Sequence, residues 1–236
     1  MVSHDLRTPL TSVQGTLALF SKGVYGEIPH QGRLRLASAE QSTRRLIKLV
    51  NDLLDIEKLE ARNLLMHTEA VSATCVIERC LESVRGFAEE HGVKLETAPG
   101  DAMFEADGDR IVQVLVNLVS NAVKFSPVGS TVSLSAVGSD RYLEFRVTDQ
   151  GRGIPAAERH AIFERFRQVE VADGREKAGI GLGLAICKAI VAQHGGEIGV
   201  DSEEGKGSTF WFRIPVQHAS AGVDFAGSNP VANEVS

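Results

Sequence analysis

The sequence predicts an α+β chain: an antiparallel helical hairpin that closes as a dimeric four-helix bundle, followed by an α/β sandwich with a mixed sheet. Three observations predict it. Two long N-terminal runs place apolar residues at alternating spacings of three and four, the seam pattern of a bundle. Downstream, helical periods alternate with short strands, but not in the strict βαβ order of a doubly wound fold. The 236 residues are 43% hydrophobic and 24% charged, which excludes wholesale disorder and collagen-like or disulfide-dense classes.

The first run is Leu6, Leu10, Val13, Leu17 and Phe20. The second is Leu36, Ala39, Thr43, Leu46, Val50 and Leu53, widened by Ile47 and Leu54. Lys22 to Pro29, with two glycines and a proline, breaks them. Two such helices alone leave an apolar face open, so a homodimer is expected. The helical pattern ends near Leu64 to Glu69. Ser72 to Glu90 then reads as a helix, and Val93 to Thr97 and Ala102 to Ala106 as strands. Asp107 to Phe125 is a long helix with Asp107 as N-cap. Thr131 to Val137 and Arg141 to Thr148 form a hairpin, and Pro155 to Phe163 is read as helical. Gln168 to Ala178 is read as a loop. Leu182 to His194 is a helix ended by Gly195-Gly196, and Glu197 to Asp201 with Ser208 to Ile214 is a second hairpin. The expected units are residues 1–66, 67–216 and a disordered tail over 217–236.

Four clusters carry chemistry. On the long helix, Asn117, Asn121 and Lys124 fall roughly 60° to 120° round from Leu118, on the flank of the apolar stripe. Carboxamide oxygens there suit a hard cation such as Mg²⁺, and the ammonium suits a phosphate. An ordinary polar flank explains the same pattern equally well. The second cluster, Asp149-Gln-Gly151-Arg-Gly153, puts a carboxylate at a strand end before glycines that let backbone approach a flat ligand. Gly151-x-Gly153-x-x-Ala156 imitates a dinucleotide fingerprint, but Asp149, Pro155 and the topology do not suit one. The third, Gly179-Ile-Gly181-Leu-Gly183-Leu184, opens a helix and exposes N–H groups to an anion. It is not a Walker loop. The fourth is the hairpin Gly205-Lys-Gly207-Ser-Thr209, which taken alone is equally a tight turn.

In order and spacing these clusters resemble the N, first glycine, second glycine and terminal glycine-threonine boxes of bacterial sensor histidine kinases of two-component systems. Phe163-Glu-Arg-Phe166 resembles the phenylalanine box, and Ser3-His4-Asp5-Leu6-Arg7-Thr8-Pro9-Leu10 the phosphoacceptor box. The resemblance covers nearly everything from Met1 to Pro215. It implies a gyrase-like ATP-binding sandwich at 67–216 and a dimerisation and phosphoacceptor unit at 1–66, N-terminally truncated because only three residues precede His4. It implies ATP and Mg²⁺ as cofactors, with a response regulator's receiver domain and a second copy as partners. Asn121, supported by Asn117, would hold Mg²⁺, and Lys124 would neutralise phosphate. Asp149 would read the adenine amino group, Phe125 would pack near the nucleotide, and the Gly179 to Gly183 turn would hold the triphosphate. Gln168 departs from relatives that carry an arginine after the phenylalanine box.

The acceptor also has a geometric argument. With Leu6 at 0°, the seam residues lie within roughly 40°, whereas His4 and Thr8 fall at roughly 160° and 200°, away from the bundle. Pro9 cannot donate to the Asp5 carbonyl, so a kink is expected just after His4. Asp5 would accept the proton of the second ring nitrogen. Thr8 matches the residue that positions water for phosphatase action in the family. The expected function is ATP-dependent autophosphorylation of His4 and transfer to a receiver aspartate. A degenerate nucleotide-binding module and a chaperone-like ATPase are the competing readings. The intact His4, Asp5, Asn117, Asn121 and Asp149 set argues against the first, and the phosphoacceptor helix against the second.

The remaining features are bland. A net charge of −6 argues weakly against a nucleic-acid partner, which favours a basic surface. The longest charge-free stretch, Phe125 to Ser139, is broken by Pro127 and two glycines and falls short of a membrane span. A cytoplasmic segment without membrane contact is expected, though the full-length protein is compatible with an anchor. Cys75, Cys80 and Cys187 are read as reduced thiols.

Overall fold

The structure is a computed structural model that describes residues 2–60, 66–98, 100, 102–167 and 181–216. The loop expected over 168–178, Gln168, Gly179 and the tail over 217–236 lie outside the described residues. Two long helices come first, α1 (Val2–Ser21) and α2 (His30–Glu60). α1 is a single helix through Pro9. The break between them is closed by Gly23 and Gly26, and the two helices pack on each other.

The second unit contains β1 (Glu69–Ser72), α3 (Ala73–Glu90), β2 (Lys94–Ala98), β3 (Met103–Ala106) and α4 (Gly108–Phe125). It continues with β4 (Thr131–Gly138), β5 (Tyr142–Asp149), α5 (Gly183–Gln193), β6 (Glu197–Ser202) and β7 (Ser208–Pro215). The main sheet has the order β2-β4-β5-β7-β6, with β2 parallel to β4 and the other pairs antiparallel, so it is mixed as expected. Two sequence readings need correction. β3 leaves this sheet and pairs instead with β1, a four-residue strand that the sequence pattern does not predict. Residues 155–163 form two short 3₁₀ turns, Ala156–Glu158 and Ala161–Phe163, in place of one helix. The bonds from Glu158 N–H to Pro155 O and from Glu164 N–H to Ala161 O close three-residue turns, and the segment bends so that Ile162 and Phe163 reach the core.

Period-two alternation explains the sheet's buried face. Leu143, Phe145 and Val147 of β5 and Phe210, Phe212 and Ile214 of β7 all point inward. The Phe145 and Phe212 rings stack at 4.8 Å, and Phe104 meets Phe145 edge-on at 5.7 Å. Ile111, Val114, Leu115 and Leu118 of α4 and Ile186, Cys187 and Ile190 of α5 cover that face. Each large side chain removed from water here contributes about 1.5–3 kcal/mol.

The ends of α4 and α5 are tied together. Asp107 caps α4, its Oδ1 accepting from Arg110 N–H at 3.2 Å and its Oδ2 from His67 N–H at 3.2 Å. The Asp107 N–H donates to His194 Nε2 at 3.0 Å, while His194 Nδ1 lies 2.9 Å from the Ile190 carbonyl. That pair of bonds specifies a neutral ring with its proton on Nδ1. It locks the start of α4 to the end of α5 and so fixes how the polar edge of α4 meets the first turn of α5.

The helical hairpin keeps part of its seam open. Val13, Phe20, Leu46 and Leu53 are 40–48% exposed. Farther along α2, Leu54 is buried, Leu49 packs against the core of the second unit, and α2 lies against α5.

Candidate functional site

α4 sets one wall. Its apolar stripe is buried in the sheet, which leaves Asn117 and Asn121 half-buried and Lys124 exposed along one edge. The first turn of α5 stands against this edge: a Cβ on Gly183 would sit 3.7 Å from Asn117 Oδ1. One turn on, the Asn117 side chain reaches the buried Cys187, whose thiol donates to the Val114 carbonyl at 3.8 Å. Burial pushes the Cys187 thiol up to about 12, so it stays protonated and inert. Gly181 takes the Phe166 N–H on its carbonyl at 2.9 Å. Leu184 is half-buried beside Gly183.

The end of β5 makes the floor. Asp149 is only 6% exposed, and its Oδ1 accepts from Gly151 N–H at 2.8 Å and Ser208 N–H at 3.2 Å. Burial raises its carboxyl above the usual value, and the two backbone bonds partly offset that. Gly151 is wedged between the Phe125 carbonyl and Asp149, where a Cβ would lie 2.6 Å from the former and 2.8 Å from the latter. The loop is thereby pressed against the last turn of α4. Gly153, at φ +71°, has no room for a Cβ beside the Glu203 carbonyl. Gly207, at φ +90°, has none beside the Asp149 carbonyl. Close approach and left-handed backbone both demand glycine at these two positions.

The outer wall is aromatic and cationic. The Phe125 ring, 38% exposed, lies under the Arg152 guanidinium at 5.0 Å, with Lys124 Nζ at 5.8 Å. Partial desolvation lowers the Lys124 ammonium below its usual value, and the nearby Lys48 and Arg45 lower it further. Thr209 Oγ1 pairs with Thr148 Oγ1 at 3.0 Å, one ladder step from Asp149.

Asn117, Asn121, Lys124, Phe125, Asp149, Gly151, Gly153, Gly181, Gly183, Leu184 and Thr209 thus come from four separated stretches of chain to the ends of α4, α5, β5 and β7. Gly179 lies outside the described residues. His4 and Asp5 are in the first turns of α1, and Thr8, one turn after His4, is exposed. Sequence reasoning missed Ser208, Thr148 and Arg152. Strand register is the signal for the first two, because Asp149 pairs with Ser208 and Thr148 with Thr209.

Comparison with known proteins gives two family matches. Residues 1–62 match the His Kinase A (phospho-acceptor) domain, and residues 106–218 the histidine kinase-, DNA gyrase B- and HSP90-like ATPase family. A mycobacterial sensor histidine kinase, MprB, is 35% identical, and the match spans 97% of that chain and 63% of this one, with a TM-score of 0.55. The chain belongs to the sensor histidine kinase family. This histidine kinase core is also similar to the full-length ShkA structure in complex with AMPPNP, at TM-score 0.77 and 32% identity over 91% of this chain and 44% of that one. The circadian input-output histidine kinase CikA of Thermosynechococcus vestitus is 39% identical over 91% of this chain and 30% of its own length. The sensor histidine kinase WalK of Bacillus subtilis is 36% identical over 91% and 35%. The kinase core described here therefore spans about a third of the length of those two relatives. None of its described helices is long and apolar enough to cross a membrane.

The residues present fit a magnesium nucleotide. The described residues contain no cluster of three or more His, Cys, Asp or Glu side chains that would hold a metal alone. The polar groups on the α4 edge are neutral carboxamides beside an ammonium, a set that completes a hard cation's shell only together with phosphate oxygens and water.

Proposed function

We propose that the chain is an ATP-dependent protein-histidine kinase that phosphorylates itself on His4 and passes the phosphoryl group to an aspartate of a response regulator's receiver domain. The observation that carries the reading is Asp149. It is a buried carboxylate with Oδ1 saturated by two backbone N–H groups, at the end of a strand that abuts the Asn117–Lys124 edge. Oδ2 is the oxygen left to accept from an adenine amino group. Phe125 packs near the nucleotide, and Gly151 and Gly153 let backbone approach the ring. The Gly179 to Gly183 segment with Leu184 would hold the phosphates, and Thr209, one ladder step from Asp149, would line the adenine end. Asn121, supported by Asn117, would hold Mg²⁺, which supplies charge neutralisation to the phosphates. Lys124 adds a protein charge to the same task.

In the reaction a neutral ring nitrogen of His4 attacks the γ-phosphorus. The N–P bond forms as the bond to the β,γ-bridging oxygen breaks, and ADP departs with that electron pair. The proton on the second ring nitrogen passes to Asp5 or is held by it. Thr8, one helical turn from His4, would position water for the reverse hydrolytic activity on a phosphorylated regulator. Residues 1–66 act as dimerisation and phosphoacceptor unit and 67–216 as ATP-binding unit. The half-open seam at Val13, Phe20, Leu46 and Leu53 is closed by a second copy. The use of ATP and of a receiver domain supports a cytoplasmic working segment.

The test is incubation with γ-labelled ATP and Mg²⁺. An acid-labile, base-stable phosphate on the wild-type chain, lost in His4→Gln with nucleotide affinity kept, is the expected result. Retained label in His4→Gln refutes the acceptor. Nucleotide binding without any label favours a degenerate binding module.

A further inference from the structure

α2 carries two cations one turn apart, Arg45 and Lys48. α2 lies along α5, with Leu54 buried and Leu49 against the core of the ATP-binding unit. On a helix, Arg45 and Asp52 fall within about 60° of Leu49, and Lys48 about 100° round. These three charges therefore flank the docked face, with Arg45 and Lys48 exposed beside it. Their effects are felt at two points: Arg45 and Lys48 act on Lys124 of α4, and Lys48 and Asp52 act on Cys187 of α5. Cys187 is the neighbour of Asn117, and Lys124 lies two turns beyond Asn117 on α4. Arg45 and Lys48 therefore flank the Asn117–Lys124 edge.

Neither makes an ion pair among the described residues, whereas the adjacent Arg44 is paired with Glu40 at 3.6 Å. Three cations brought together by apolar packing repel one another, and a polyanion between them relieves the repulsion. We propose that Arg45 and Lys48 of α2 belong to the nucleotide site and, with Lys124, hold the terminal phosphates of ATP, so that the triphosphate bridges the helical hairpin to the ATP-binding unit. The inference rests on the reading that this site takes ATP. It makes α2 a sensor of the γ-phosphate: ADP leaves the bridge incomplete, and adenosine does not engage it.

The experiment is calorimetric titration of the full chain with Mg·ATP, Mg·ADP and adenosine at low and moderate salt. It compares wild type, the double variant Arg45→Gln with Lys48→Gln, and the control Arg44→Gln. Exposed charge pairs of this kind predict a loss of about 3- to 30-fold in ATP affinity for the double variant. The loss should be smaller for ADP and absent for adenosine, and the salt dependence of ATP binding should be shallower than in wild type. Arg44→Gln should match wild type throughout. Unchanged ATP affinity in the double variant overturns the inference, as does an equal loss for all three ligands, which would mean a damaged fold instead of lost phosphate contacts. Wild type that binds none of the three removes the nucleotide reading itself and this inference with it, a result visible before any variant is made.

Discussion

Asp149→Asn separates recognition from architecture. Oδ1 of Asp149 accepts the N–H groups of Gly151 at 2.8 Å and Ser208 at 3.2 Å, and the Asn carboxamide oxygen can keep both bonds. Burial disfavours the charged form of Asp149, so a neutral amide at the same place removes a desolvation cost. The variant should melt at or slightly above the wild-type temperature. At the other oxygen an –NH₂ replaces an acceptor, and a donor then faces the adenine amino group. An unmet buried polar pair costs about 1–3 kcal/mol, or about 5- to 150-fold in affinity. Asp149→Ala does something different. It strands both backbone donors in a buried place, at about 1–3 kcal/mol each, and should lower the melting temperature of the apo chain. The assay is ATP titration of the three chains, with thermal melts in the absence of nucleotide. If Asn binds ATP as wild type does, Asp149 does not read the adenine. If Asn loses as much apo stability as Ala, the two-acceptor account of Oδ1 is wrong.

Gly207→Ala should destabilise by about 2 kcal/mol or more, because left-handed backbone strain of about 1–2 kcal/mol is joined by a collision with the Asp149 carbonyl. Gly205→Ala, at φ +82° with open space around its Cβ, should show the strain alone, and equal losses in chemical denaturation would refute the collision. Burial pushes the Glu144 carboxyl up, but the hydrogen bonds from Arg213 and Arg146 outweigh it and hold the group below its usual value near 4.5. A depressed carboxyl stabilises the fold above that value and loses its contribution as pH falls from there through the lower folded value. Glu144→Gln should flatten acid unfolding in that window, and an unchanged profile would sink the assignment. Asn121→Ala should lose Mg²⁺-dependent labelling of His4 far more than nucleotide affinity, and parallel losses in the two would show that Asn121 serves binding in general.

The elements legible in the sequence were those whose pattern is local. The Asn117, Asn121 and Lys124 edge follows from helical period alone, because the stripe from Ile111 to Ala122 must be buried and the flank cannot be. Asp107 as a cap follows from residue type at a helix start, and the structure adds two bonds from outside the helix, to His67 and His194. What stayed hidden depends on which distant stretches meet. β1 is four residues long and takes its identity from pairing with β3, so no period of its own announces it. The 3₁₀ turns over 156–163 arise because Ile162 and Phe163 are drawn to a core that the local sequence does not contain. Ser208 becomes the second donor to Asp149 only through the register of β5 on β7. Arg45 and Lys48 are the extreme case. By period they lie about 130° and 170° round from the bundle seam, where a long charged side chain reads as ordinary solvent-facing cover. Only the seating of Leu49 against the core of the second unit turns that flank towards Lys124. Glycines behave in the opposite way: the sequence shows their spacing at once, but not their reason. At Gly153 and Gly207 the reason is a carbonyl from another strand end lying where a Cβ would stand. The glycine signature therefore marks the closeness of three chain segments around Asp149 as much as it marks a phosphate.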